Sequence, residues 1–139
     1  MSDKLSYTEI YLRACDLIKD AAEKKLERPL THQELAHIYN AGSLMMLESV
    51  ERGIEVSTKA NLSATLLSTS FLDRLDETKR DFPKRLEEDW LIQPLSQQLI
   101  DKLMQLPYVY SLFQILLTME QTAPEARYQE LTRILDETI

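Results

Sequence analysis

The sequence predicts an all-α fold, on three observations. Glycine is scarce at 2 of 139 residues and proline numbers only 5, so few positions suit tight hairpins, β-bulges or phosphate-cradling loops. Apolar residues recur at spacings of three and four in most segments, the period of a helix that buries one face. The prolines fall where such segments start or stop. The expected architecture is one domain over residues 1–139: a helical bundle of six or seven helices, with an N-terminal antiparallel helix hairpin followed by shorter proline-started helices.

The first helix opens on Ser6-Tyr7-Thr8-Glu9, a capping-box pattern in which the serine hydroxyl and the glutamate carboxylate satisfy backbone N–H groups that the first turn leaves orphaned. Ile10, Tyr11, Ala14, Leu17, Ile18 and Ala21 then build one apolar stripe, and Pro29 ends the helix near Glu27 or Arg28. A second capping box runs from Thr31 to Glu34, with Leu30 and Leu35 placed as a hydrophobic staple. The face Leu35, Ile38, Tyr39, Gly42, Met45, Met46 and Val50 predicts one helix over residues 32–52, ended by Gly53 as the residue past its C-terminus. The connection to the first helix is a few residues long, hence the antiparallel hairpin.

Residues 56–75 are read as a third helix with the stripe Ala60, Ala64, Leu67, Phe71 and Leu75. A strand over 62–68 is the alternative, rejected because no second strand exists to pair with it. Between Asp73 and Asp89, 12 of 17 residues are charged with both signs interspersed, which reads as a solvated helical extension interrupted at Pro83. Leu95, Leu99, Leu103 and Leu106 predict a short amphipathic helix. Pro107 suits the first position of a helix over 108–121 that is apolar nearly all round, so that helix is expected at the centre of the fold or in a subunit interface. Pro124 opens the last helix, with Tyr128, Leu131, Ile134 and Leu135 inward.

Composition narrows function by exclusion. With 16 Lys+Arg against 23 Asp+Glu the formal net charge is -7, so the bulk attraction that drives non-specific nucleic-acid binding is missing and nucleic acid is not an expected partner. Cys15 is the single cysteine; it allows no intramolecular disulfide and reads as a small buried hydrophobe. The first residues lack a basic segment followed by an apolar run, and no stretch approaches the ~18 apolar residues of a membrane span. A cytoplasmic location is the expectation.

Catalytic and metal chemistry finds little to stand on. His32 and His37, the two histidines, are five apart and point away from each other on a helix. Glu34 and His37 satisfy the Glu-x-x-His spacing of di-iron bundles, but the second such motif is absent, so no metal site and no cofactor is expected. No glycine-flanked Ser or Cys marks a nucleophile, and Glu87 with Glu88 sits in a charge-dense stretch where full solvation is expected. An enzyme is not expected. Residues 36–43, Ala-His-Ile-Tyr-Asn-Ala-Gly-Ser, are similar at a glance to the histidine motif of phosphotransfer domains. Asn40 stands where that motif has Lys, and Gly42 comes one position late.

Thr31-His32-Gln33-Glu34-Leu35-Ala36 resembles the opening of the first helix of a repressor-type helix-turn-helix. That family implies a turn near Asn40 and then a recognition helix reading base edges with Arg, Lys, Gln or Asn. Residues 43–51 carry no basic side chain and two glutamates, so one long core helix is the preferred reading and an oligomeric DNA-binding regulator the second.

What remains points to partner binding. Leu44, Met45, Met46 and Leu47 are four consecutive apolar residues on a helix, more than one buried stripe absorbs. Trp90, Leu91 and Ile92 follow the charged stretch, and tryptophan is the residue type most enriched at interface hot spots. These seven residues are the expected partner-binding surface of a non-enzymatic adaptor, chaperone-like escort or regulator. Another protein is the expected partner, self-association as a homodimer is expected, and the acidic surface should steer the chain toward a basic patch.

Overall fold

The structure, a computed structural model, describes residues 5–68 and 72–138. Among them are eight α-helices and one 3-10 turn, and no strand. The helices are α1 (Tyr7–Leu26), α2 (His32–Tyr39), α3 (Leu44–Val56), α4 (Lys59–Leu67), α5 (Leu72–Asp89), α6 (Gln97–Leu103), α7 (Val109–Gln121) and α8 (Arg127–Thr138), the last preceded by the 3-10 turn Pro124–Ala126. The all-α expectation holds. The count of six or seven does not, chiefly because residues 32–52 are two helices instead of one.

Local signals place several helix starts. The Ser6 hydroxyl accepts from the Glu9 N–H. The Thr31 box closes in both directions, with Glu34 N–H on the Thr31 hydroxyl and Thr31 N–H on the Glu34 carboxylate. Ser43 and Ser96 cap α3 and α6 through their hydroxyls. Between α2 and α3 the chain breaks at residues 40–43, where Gly42 adopts φ +84, a left-handed conformation that side chains other than glycine's resist. The Tyr11 hydroxyl then accepts the Gly42 N–H at 2.8 Å, so α1 pins the turn. Gly53, expected beyond the helix end, lies inside α3.

The break redirects the chain. Bonds from Arg28 to Glu34 and from Tyr39 to Asp16 lay α2 antiparallel to α1, as the short connection predicts. Leu44 N–H donates to the Tyr7 hydroxyl near the start of α1, and Lys25 Nζ donates to the carbonyls of Ile54 and Glu55 at the far end. The helix α3 therefore runs parallel to α1, alongside it for most of its length.

Two other expectations need correction. Within residues 56–75 the buried side chains of α4 are Leu62 and Leu66, while Ala60, Ala64 and Leu67 face outward; two leucines one turn apart bury more apolar area than two alanines. Phe71 lies outside the described residues. Pro83 does not interrupt α5, which passes through it. An internal proline costs about 3 kcal/mol, and the adjacent Phe82 and Leu86, both fully buried, offset it at roughly 1.5–3 kcal/mol each.

The core has two parts. One is built from α1 to α4 around Tyr11, Ile38, Leu47 and Leu62; the other, from α5 to α8, gathers Phe82, Leu103, Leu112 and Leu131. Helix α7 belongs to both. Its Tyr110, Phe113 and Leu117 pack on the first part, and its Leu112, Ile115, Leu116 and Met119 lie in the second. That position explains a helix apolar nearly all round. Leu95, Leu99, Leu103 and Leu106 are all buried, as their spacing predicts. Pro107 sits one residue before Tyr108, the N-cap of α7, rather than at the first helical position.

Candidate docking face

Of the seven residues expected at a partner surface, the structure places two inside. Leu47 is 1% exposed and Leu91 7%, so both are core residues: Leu47 falls on the α3 face turned toward α1, and Leu91 sits where the end of α5 folds back, its N–H on the Leu86 carbonyl at 2.8 Å. Leu44 and Met46 are half-buried against the first core, and Trp90 against the second. The Trp90 ring lies under the Arg127 guanidinium, 5.1 Å from its centroid. Arg127 also donates to the carbonyls of Trp90, Met119 and Thr122, tying together the ends of α5 and α7. Only Met45, at 80% exposure, and Ile92, at 72%, stand out in solvent. The two segments pack on different core parts and form no common surface.

The larger exposed apolar surface lies on α1, where sequence reasoning places a single inward stripe. Tyr11, Cys15, Ile18, Ala22 and Leu26 do face the core, with Leu12. Tyr7, Ile10, Leu17 and Ala21 face outward, Leu17 at 70% exposure. With half-buried Ala14 these residues repeat at spacings of three, four, three and four, the spacing of apolar seams between paired helices. The signal is present in the sequence: two interleaved apolar stripes on one helix exceed what a single core contact covers.

Between the parallel helices α1 and α3 runs a groove of about 250 Å³ lined by Ala14, Leu17, Ile18, Leu44, Leu47, Glu48 and Glu51. Tyr7 stands at its upper end, bonded through its hydroxyl to the first N–H of α3. Met45 lies one turn before Glu48 on α3. The seam of α1 meets the groove at Ala14 and Leu17, with the carboxylates Glu48 and Glu51 on its α3 side; exposed Met45 follows Leu44 on α3.

A second cleft of about 540 Å³ is lined by His32, Gln33, Ala36, Asn40, Leu67, Pro107 and Tyr108. Three of its polar side chains are engaged within the chain. The His32 ring nitrogen and Tyr108 hydroxyl are 3.0 Å apart, and Asn40 Oδ1 accepts the Val109 N–H at 2.8 Å. Nearby, the Tyr39 and Tyr110 rings stack with centroids 4.3 Å apart, and both hydroxyls donate to Asp16. Burial, then the Asp16 charge, pushes both phenols up, Tyr110 to about 12, so at neutral pH they remain neutral donors that bind α2 and α7 to α1.

Cys15 is fully buried, and burial pushes its thiol up to about 12, which leaves it protonated and inert at neutral pH. Glu34 is buried and saturated with donors. Glu87 accepts the Leu95 N–H and closes the loop after α5. Among the described residues no group of three or more His, Cys, Asp or Glu could hold a metal ion. No described helix is long and apolar enough to cross a membrane.

The helix break at residues 40–43 supplies the helix, turn and helix order that the Thr31–Ala36 resemblance implies. The charge of α3 does not follow. Its outward side chains include Glu48, Glu51 and Glu55, against Arg52 as its one cation, a poor match to phosphate. Comparison with protein-family models, with curated proteins and with solved structures finds no match to this chain.

Proposed function

We propose that the chain is a non-enzymatic protein-docking module that receives a partner on the α1–α3 face. The observation that carries this reading is the outward seam Tyr7, Ile10, Ala14 and Leu17, which meets the groove at Ala14 and Leu17; exposed Met45 follows Leu44, a residue of the groove, in sequence. A self-sufficient helix places one apolar stripe inward; α1 carries a second at helix-pairing spacing. Ile92 stands apart from this face, and Trp90 and Leu91 serve the fold.

A photoactivatable cross-linking residue placed at position 17, 45 or 92 tests the reading in cells. Adducts to a second polypeptide should form from 17 and 45 and not from 92. Met45→Lys should abolish the adduct from 17, and Leu17→Lys the one from 45. Both lysines enter exposed positions, where stability changes stay within about 0.5 kcal/mol. Equal labelling from all three sites, or labelling indifferent to the lysines, would overturn the proposal.

The second reading, an oligomeric DNA-binding regulator using residues 31–51, is favoured by the turn at Gly42 and opposed by the acidic side of α3. Duplex DNA shifted at low salt and released as salt rises would support it.

A further inference from the structure

The α1–α3 face also specifies the charge of what it receives, an inference that rests on the docking reading above. Its floor is apolar: Ala14, Ile18, Leu44 and Leu47. The charged side chains lining it are two carboxylates, Glu48 and Glu51, within one turn of each other on α3. Among the described residues neither is joined to a cation, although Arg52 follows directly. Arg13, which lies between Ile10 and Leu17 on the outer side of α1, is already held by Glu9 at 3.0 Å.

Two parallel helices with a groove between them present the surface on which a third helix packs, ridges into groove. Alongside α3, 13 residues long, a guest helix has a track of about 20 Å. Ala14, small and midway along the α1 seam, lets the guest backbone approach. An occupant without positive charge would press apolar surface beside two unpaired carboxylates and strip their water with nothing in return. A second copy of this chain would bring the same glutamates and a net charge of -7 to the contact. We propose that the face binds an amphipathic helix of another protein, with apolar side chains spaced i, i+3 or i+4, and i+7, and Lys or Arg along the flank that meets Glu48 and Glu51.

Two labelled helical peptides test this against the full chain by fluorescence anisotropy. Both carry leucine at the seam positions; one has lysine on the flanks and the other glutamate at the same places. At about 20 mM salt the lysine peptide should bind at least about tenfold tighter, and the gap should shrink at about 300 mM salt. The double variant Glu48→Lys/Glu51→Lys should reverse the preference, and Leu17→Lys should abolish binding of both, with far-UV circular dichroism confirming that each variant is folded. Equal binding of both peptides, still lost in Leu17→Lys, overturns the charge assignment and leaves the docking reading in place. A dimer in sedimentation that dissociates in Leu17→Lys names a second copy as occupant, with the same consequence. Binding of neither peptide, without self-association, overturns both.

Discussion

Glu34 is a carboxylate that folding takes out of water and then saturates with donors. Its side chain is 1% exposed. Arg28 grips both oxygens at 2.8 Å, the Thr31 N–H adds a bond at 2.9 Å and the Ser63 hydroxyl one at 2.7 Å. The Arg28 fork first, and the Thr31 and Ser63 donors with it, hold the carboxyl down to about 2 against the resistance of burial. Because the folded value lies below the unfolded one of about 4.3, the carboxylate contributes stability above that pH and loses it as pH falls toward 2. Glu34→Gln should therefore cost about 2 kcal/mol at neutral pH, a figure kept below the full shift because Arg28 is half in solvent. The cost should shrink steadily between about pH 4.5 and pH 2. Urea unfolding of both proteins across that range checks it; a gap independent of pH would show that shape, not charge, holds the site. The sequence shows half of this arrangement. Thr31 and Glu34 announce a capping box because a cap is local, whereas Arg28 and Ser63 arrive from the loop after α1 and from α4, which only the packed fold brings near.

At the scale of elements the two glycines exchange the roles that the periodic pattern suggests. Read along one face, Gly42 is an interior helix residue and Gly53 the residue past the end. In the structure Gly42 is the left-handed hinge, a Cβ there would meet the Arg74 side chain at 2.7 Å, and Gly53 is helical with nothing nearer to its missing Cβ than the Thr65 methyl at 3.9 Å. Gly42→Ala should destabilise by about 1–2 kcal/mol, while Gly53→Ala should stabilise by about 0.5–1 kcal/mol, the usual gain of alanine over glycine inside a helix. Thermal melts of the two variants carry the test. One unbroken helix over residues 32–52 would give the opposite sign at Gly42. Helix starts are legible at Ser6 and Thr31, because each acts on the next few residues. The break at residues 40–43 surfaces only through the helix-turn-helix resemblance, because Tyr11 and Asn40 hold it by bonds distant in sequence and Arg74 lies against Gly42. The inward face of each helix is legible where one stripe exists, as in α6, and misread where two compete, as in α1 and α4. The docking face inherits that ambiguity: Met45 stands out as surplus from sequence, and Leu17 is hidden in a stripe that looks internal.

For the molecule as a whole, α7 decides whether two core parts make one cooperative unit. Its apolar side chains are buried or half-buried within the chain, and the exposed large apolar side chains lie elsewhere, most of them on α1 and α3. The coupling runs through Tyr110, Phe113 and Leu117. Phe113 lies with its ring centroid 4.2 Å from that of Tyr11, and Thr8 at the start of α1 donates to Glu120 at the end of α7 at 2.9 Å. Trp90, the single tryptophan, packs on the second part and reports on it alone, while far-UV circular dichroism sums all helices. If α7 binds the parts into one domain, urea unfolding followed by the two signals should coincide. Phe113→Ala, which removes most of one aromatic side chain from the seam between the parts, should shift both curves together by about 2–3 kcal/mol. Loss of helix before any change at Trp90 in the native protein would mean instead that α1 to α4 unfold as a separate unit. The α1–α3 face would then belong to a small four-helix body held to the rest by α7.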